Sequence, residues 1–351
     1  MAYIEIKGEA FLENLEKVQR CCERQSIDLS VVTKFCLSDA RIAALLYETG
    51  VRSIADSNMV CFASLPQDLA EKLSKSLIKT RLADILAIPS LPQSAHPDRV
   101  FVSDEALIEA VARLPENLRP QTVLIAELGD LRDGFYLEDI PAVVERYPEV
   151  PFAGLSVNFA CLSGKMPDAE SIGALSRCAR QIPCRTGRPL VSVGGTVSWP
   201  LIEAGAIQDL VTEIRMGEGI FFGYDSSAAK PIEGFRHDAF TLYGEIVEVR
   251  DKLVTELEDP GHTALGAEAP KRKPGKRRCA VLDFGVLGAS MKDLEVLDPE
   301  IEIAGQTFDF TVVDITGSSV PRKTGGHIPF RAMYAASSHA MLNPFIKRVV
   351  K

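Results

Sequence analysis

Short apolar runs alternate with amphipathic stretches over the first two thirds of the chain. The opening YIEIK alternates with the period of a strand, and Phe11, Leu12, Leu15, Val18 and Cys22 then recur at helical spacing. LSVVTKF (29–35) is a β-branched run. Behind it Ser38 can cap a helix whose apolar face is Ile42, Leu45 and Leu46 and which ends at Gly50. The cycle returns at VRSIAD, LIKTRLA, RVFVSD, TVLIAEL, FAGLSVN, LVSVGG and EIRMG, with helical sequence between most of them, as at 104–113, 139–147 and 169–182. Counted from LSVVTKF these are eight strand–helix units, which predicts a (β/α)8 TIM-type barrel rather than an open doubly wound sheet.

The pattern changes near residue 235. FTLYGEIVEVRD, RRCAVLDFG, EIEIAG and FDFTVVDIT are strand-like runs separated by Pro, Gly and charge, and they predict a C-terminal all-β domain. The expected division is a barrel over 8–235 and a β domain over 236–351.

Composition narrows the class. With 351 residues, 46% of them hydrophobic, the chain can bury a large core. No apolar run approaches the roughly 18 residues of a membrane helix, so no membrane partner is expected. The start, MAYIEIKGEAFLENLEK, has no basic region followed by an apolar core, so no secretory leader is expected. A net charge of −9 argues against broad nucleic-acid binding. Its most basic stretch, KRKPGKRR (271–278), reads as an exposed loop between strands, with a phosphate-binding patch as the sharper alternative. The eight cysteines are scattered without C-x-x-C, which suits reduced thiols in a cytoplasmic protein. The histidines form neither H-x-x-H nor H-E-x-x-H, so no catalytic metal is expected. The lone Trp199 reads as packing.

In such a barrel chemistry gathers at the C-terminal strand ends. Those ends carry Lys34, Asp56, Arg81, Asp104, Arg132, Asn158, Gly194-Gly195-Thr196 and Arg215. A lysine ending an apolar strand either reaches solvent or loses its charge, for instance by bonding covalently to an aldehyde. SVGGTVSWPLIEAG combines a strand, a Gly-Gly turn and the hydroxyls of Thr196 and Ser198 ahead of a helix, a pattern able to offer backbone N–H groups to a phosphate. Gly217 and Gly219 in IRMGEGIFFG can add donors after the eighth strand.

These segments together resemble the alanine racemase family of pyridoxal-phosphate (PLP) enzymes, of fold type III, and within it the ornithine racemase-like branch. The motifs are VVTKFC (31–36), GVRSIADSN (50–58), ELGDLRDGF (127–135), GLSVNFACLSGKMP (154–167), VGGTVSWPLIEAG (193–205) and IRMGEGIFFG (214–223). DAFTLYGEIVEV (238–249), LDPEIEIAG (297–305), FTVVDIT (310–316) and the stretch around Tyr334 extend the likeness over nearly the whole chain. The resemblance implies a barrel followed by a β domain that the N-terminal strand (1–7) joins. It implies pyridoxal 5'-phosphate as cofactor, an amino acid as substrate, and a homodimer with shared active sites. Lys34 matches the lysine that bonds to the cofactor and moves the α-proton on one face. Arg215 matches the arginine that hydrogen-bonds the pyridine nitrogen, and Arg132 the arginine near the phenolic oxygen. Asn158 stands where many members have a histidine against the ring. Gly195, Thr196, Ser198, Gly217 and Tyr334 match or neighbour the phosphate contacts.

The chain departs from the family pattern at one point. Alanine racemases carry a second base, a tyrosine in Gly-Tyr-x-Asp-Gly, and FGVLGAS places Val286 there. Valine cannot transfer a proton. Asp283, His327, Tyr136 and Asp309 are the substitutes considered, Asp309 first as an interface residue. The implied activity is amino-acid racemisation, with ornithine or another basic amino acid as substrate. Alternatives are a PLP-dependent lyase or epimerase on the same scaffold, or a PLP-binding protein with little turnover.

Overall fold

The structure is a computed structural model, and it describes residues 1–351 except 185–186, 257, 260 and 269–273. Two compact bodies arise from the chain, one of residues Phe11–His237 and one of Met1–Ala10 with Asp238–Lys351.

The first body is the expected closed barrel. Eight parallel strands close it in chain order: β2 (Asp28–Val32), β3 (Ser53–Asp56), β4 (Ser74–Leu77), β5 (Arg99–Val102), β6 (Gln121–Ala126), β7 (Phe152–Asn158), β8 (Leu190–Gly194) and β9 (Glu213–Met216). The β2–β9 pairing, Leu29 opposite Ile214 and Val31 opposite Met216, shuts the ring. Apart from exposed or half-buried residues at some strand ends, the strands are buried, as expected of parallel strands covered by helices. Phe11 and Phe35 both pack on Phe221, at 5.3 Å and 4.7 Å between ring centroids, so the helix Gly8–Gln25 and the turn after β2 share one apolar cluster.

The interior of this barrel is unusual. Branched apolar side chains usually fill such a core. Here Ser30, Ser76, Ser156 and Ser192 are fully buried in it, with Arg99 and Glu213 bridging at 2.6 Å. Arg99 also donates to Ser53 Oγ at 3.0 Å, and Ser53 donates to Ser30 Oγ at 3.0 Å.

β4 corrects the sequence reading. It is SKSL, not LIKTRLA, and therefore lies a few residues upstream. Lys75 sits inside it, 5% exposed, with its ammonium donating to the carbonyls of Ala70 and Leu73. Arg81 consequently does not end a strand; it precedes the helix Leu82–Ala87 and binds Asp84 at 2.7 Å. Asp104 is likewise a cap, accepting the Ala106 N–H at 2.8 Å ahead of helix Glu105–Arg113. Asp39 rather than Ser38 caps helix Ala40–Glu48.

The second body is mostly β. Its sheet runs β14 (Leu294–Val296), β17 (His327–Ala332), β12 (Phe240–Val254), β13 (Gly275–Leu282), β16 (Thr311–Asp314) and β15 (Glu302–Gln306). The N-terminal strand β1 (Tyr3–Ile6) pairs antiparallel with β12 and parallel with β18 (Lys347–Val350). One nine-residue helix, Tyr334–Leu342, interrupts the β pattern. A two-residue pair, β10 (Tyr224–Asp225) and β11 (Lys230–Pro231), belongs to the barrel body. Residues 275–278 of the basic stretch are strand rather than loop: Lys276 and Arg278 pair with Asp251 at 3.0 Å and 3.4 Å, and Arg277 lies 3.8 Å from Asp314. Residues 271–273 of that stretch lie outside the described residues.

Candidate active site at the barrel mouth

Lys34 is separated from the end of β2 by Thr33 alone and is the first residue of a 3-10 turn, Lys34–Cys36. The turn is held from beneath. Thr33 and Ser38 share a hydrogen bond at 2.8 Å, and Ser38 donates to the Asp56 carboxylate at 2.9 Å. Asp56 is fully buried at the end of β3 and also accepts the N–H groups of Ser57 and Asn58. Burial pushes this carboxyl up, against the pull of Ser38 and the two N–H groups. Asp56 is thus the anchor of the lysine turn.

The turn is strained. Leu37 and Ser38 both have left-handed backbones, with φ of 52° and 49°. Leu131 (59°) and Ala160 (53°) repeat this in the loops after β6 and β7. Such conformations cost energy and persist where the surroundings over-determine them, commonly at functional sites.

Lys34 is exposed as a residue, yet protein crowds its amine. That crowding lowers its pKa, and the charges of Arg132 and Arg215 lower it further, opposed by Cys161 and Asp56. Three cations therefore act on one another at a single end of the barrel. Arg132 lies in the loop after β6. Burial lowers its pKa, but a 2.6 Å bond to Asp133 and that carboxylate's charge outweigh burial. The Glu127 carboxylate fastens the same loop, accepting the N–H groups of Gly129 and Leu131 at 2.5 Å and 3.1 Å.

Arg215 is the third of the four residues of β9 and is 3% exposed. Its Nε donates to Ser192 Oγ at 2.9 Å and its Nη2 to the Val157 carbonyl at 3.0 Å. The guanidinium lies 4.8 Å from the Phe101 ring centroid. Burial lowers its pKa to about 10, with Glu213 opposing, so it stays protonated at neutral pH. Among the described residues its Nη1 has no acceptor.

Asn158 ends β7 beside Gly194. The Gly-Gly turn is needed for close approach: Gly195 has φ 97°, where a side chain is strained. Thr196 Oγ1 accepts the Gly219 N–H at 2.9 Å and so ties the loop after β8 to the loop after β9. Gly219 is therefore not a free donor, contrary to the sequence reading. The N–H groups of Thr196, Val197, Gly217 and Glu218 have no acceptor among the described residues. A Cβ on Gly217 would meet the Val32 carbonyl at 2.7 Å, so only glycine lets that loop pass β2. Ser198 is fully buried and makes a long 3.5 Å contact to the Gly194 carbonyl. Trp199 packs on Phe235 at 5.7 Å.

Of the residues read as strand ends, Asp56 and Asn158 end strands, Lys34, Gly195 and Thr196 follow strands closely, and Arg215 lies one residue inside β9. Sequence reading missed Phe101, Ser192 and Glu213, which lie within strands and read as core, and Cys161. The Cys161 thiol interacts with Lys34 and Arg132 and its N–H donates to Asp130 at 2.9 Å. Tyr334 begins the helix of the other body. So do the substitute bases belong there, Tyr136 excepted. Val286 donates its N–H to the Thr307 carbonyl. Asp283 accepts the N–H groups of Ala2 and Glu245 at 2.6 Å and 2.8 Å, which is a strand-pinning role. His327 stacks edge-on against Tyr3 at 5.3 Å. Asp309 and Tyr136 are exposed. No cluster of three metal-ligating side chains occurs among the described residues.

No protein-family model matches the chain. Its fold superposes on alanine racemase from Bartonella henselae with covalently bound pyridoxal phosphate. The TM-score is 0.72 at 14% identity, over 100% of this chain and 99% of that one. The chain thus has the alanine-racemase-type architecture of PLP fold type III. Its relatives in sequence are an ornithine racemase of Acetoanaerobium sticklandii and a lysine racemase of Thermotoga maritima. The first is 25% identical over 346 residues, covering 96% of each chain. The second is 24% identical over 351 residues, covering 96% of this chain and 95% of that one.

Proposed function

We propose that this protein is a pyridoxal-phosphate-dependent amino-acid racemase acting on a basic amino acid such as ornithine or lysine. The observation that carries the reading is the mutual influence of Lys34, Arg132 and Arg215 at one barrel end, with Lys34 held below its ordinary pKa. Three basic side chains at one barrel end call for an anionic occupant, and a lysine amine that loses its proton more readily than usual suits a carbonyl.

The donor set fits pyridoxal phosphate. The Thr196 and Gly217 N–H groups, which lack acceptors, and the Ser198 hydroxyl would hold its phosphate, while Gly195, whose own N–H bonds the Arg215 carbonyl, would supply the turn. Asn158 would lie against the ring, Arg132 beside the phenolic oxygen and Arg215 at the ring nitrogen. Tyr334 is carried as a phosphate residue by resemblance alone. When bound, the cofactor supplies an electron sink that acidifies the α-proton of an attached amino acid.

The chain's residues do the rest. Lys34 Nζ takes the α-proton on one face, which its lowered pKa favours because part of it is unprotonated at lower pH than an ordinary lysine. Arg215 keeps its proton, so its donor disfavours protonation of the ring nitrogen and limits side reactions such as transamination. Asp56 and Ser38 fix the lysine turn. Racemisation needs a second proton carrier on the other face, and Val286 cannot serve.

We also propose a homodimer of cytoplasmic location. Leu287, Phe308, Phe310, Leu342 and Phe345 of the β body are 45–78% exposed, and the Leu287 N–H bonds the Phe308 carbonyl, so the patch is partly continuous. Apolar exposure of this kind supports burial against a second copy. Among the described residues no helix is long and apolar enough to cross a membrane.

The test is reconstitution with pyridoxal phosphate, borohydride reduction and peptide mapping, followed by deuterium exchange. Label on Lys34 and α-deuteration of ornithine or lysine with inversion are expected. Label on another lysine, or no α-exchange across a broad amino-acid panel, would sink the reading.

A further inference from the structure

Glu213 is the most deeply buried carboxylate that this mechanism leaves without a task. It is 1% exposed inside the barrel, at the first position of β9, two residues before Arg215. Its two oxygens are used in opposite directions. One accepts a hydrogen bond from Arg99 Nη1 at 2.6 Å, and the other accepts one from the Ser192 hydroxyl at 2.6 Å.

The second bond has a directional consequence. A serine hydroxyl has one proton and two lone pairs. With its proton committed to Glu213, Ser192 Oγ can meet Arg215 only as an acceptor, and Arg215 Nε donates to it at 2.9 Å. A hydroxyl polarised by a carboxylate is the stronger acceptor. Val157 fixes Nη2 at 3.0 Å and Phe101 lies across the guanidinium face at 4.8 Å. The plane of Arg215 is thereby set, and with it the direction of Nη1.

Stability alone does not require this arrangement. Well-packed apolar residues replace a buried ion pair at little cost or with gain, and barrel interiors are ordinarily apolar. We propose that Ser192 and Glu213, the latter anchored by Arg99, are positioning residues that orient the Arg215 guanidinium and keep its proton on it. The proposal rests on the reading that Arg215 faces the ring nitrogen of pyridoxal phosphate.

The experiment compares Ser192→Ala, Glu213→Gln and Arg215→Met with the parent. Three quantities are read: the absorbance maximum of bound pyridoxal phosphate, its Kd for the apoprotein, and the ratio of racemisation to transamination. Transamination is the diagnostic side reaction. The α-proton ends on the cofactor's aldehyde carbon and the amino group stays on the cofactor, which becomes pyridoxamine phosphate. Water supplies the oxygen of the departing 2-oxo acid, so the substrate is oxidised and the cofactor reduced.

Ser192→Ala and Glu213→Gln are expected to shift the absorbance maximum in the same direction as Arg215→Met and to lower the ratio about tenfold, the scale on which supporting-shell losses act. If Glu213→Gln does not fold, Ser192→Ala decides alone, because it leaves the Arg99–Glu213 pair intact. A lower melting temperature with unchanged absorbance, Kd and ratio in Ser192→Ala, while Arg215→Met changes them, overturns the inference and leaves the reading of Arg215 standing. No change in Arg215→Met overturns that reading and the inference with it.

Discussion

Gly194 and Arg215 are register partners on β8 and β9, and a Cβ on Gly194 would fall 2.7 Å from Arg215 Nη2. The same Cβ would lie 2.4 Å from Asn158 Oδ1. Gly194→Ala must therefore push two site residues at once. Overpacking of this kind costs about 1–3 kcal/mol. The expected outcome is a lower melting temperature together with weaker retention of pyridoxal phosphate, read by thermal unfolding and by absorbance after gel filtration. Parental values for both would show that Arg215 is free to move aside.

The lowered pKa of Lys34 sets a pH dependence. Burial is its main cause and the Arg132 charge adds to it. Cofactor uptake by the apoprotein requires the neutral amine, so its rate should rise with pH to an inflection below the ordinary lysine value of 10.5. Arg132→Gln removes one repelling cation, makes the ammonium easier to form and should move the inflection to higher pH. Stability follows the same sign. A lysine whose pKa is lowered by folding costs stability at pH below its folded pKa, and that cost fades as pH rises to the unfolded value. Stopped-flow uptake rates across pH test the first statement; an inflection that stays put or moves down in Arg132→Gln contradicts it.

The Thr196–Gly219 bond at 2.9 Å joins the two loops proposed to hold the phosphate. Thr196→Val keeps the shape and removes the acceptor. Leaving the Gly219 N–H unpaired costs about 1–3 kcal/mol. The Kd for pyridoxal phosphate should rise at least about fivefold, on the same free-energy scale, with a smaller change for pyridoxal, which lacks the phosphate. Equal changes for both ligands would locate the effect away from the phosphate.

The exposed Phe308, Phe310 and Phe345 should be covered in solution. Phe308→Glu combined with Phe310→Glu places two charges in an apolar patch. Sedimentation velocity should give a dimer for the parent and a monomer for the double variant. A parent that remains monomeric at assay concentration, with full activity, removes the dimer from the proposal.

Much of the fold was readable because burial leaves a periodic trace. The apolar runs at Val31, Ile54, Val100, Val123, Leu155, Val191 and Ile214 mark seven barrel strands. The eighth, SKSL, left none. Its inward positions are serines, and Lys75 uses an apolar stem to bring its ammonium to the carbonyls of Ala70 and Leu73, so a buried strand carries a polar sequence. The misplaced strand displaced Arg81 with it. Asp104 shows a different limit, since an aspartate at a strand end serves equally as a cap for the following helix.

The sequence by itself determined the alternation of elements, the glycine turn and the basic residues at strand ends. These are local properties, set by side-chain period and by the conformations glycine permits. Only the tertiary structure decided which of those residues act on one another. Lys34 and Arg215 are 181 positions apart in the chain, and the charge each feels comes from closing β2 onto β9. In the Arg99–Glu213–Ser192–Arg215 connection, Ser192 meets Glu213 and Arg215 because β8 pairs with β9, and Arg99 on β5 reaches Glu213 across the barrel interior. Hydrogen bonds reach about 3 Å, whatever the separation along the chain. A pattern in one strand therefore cannot announce the partner that a barrel brings across its interior.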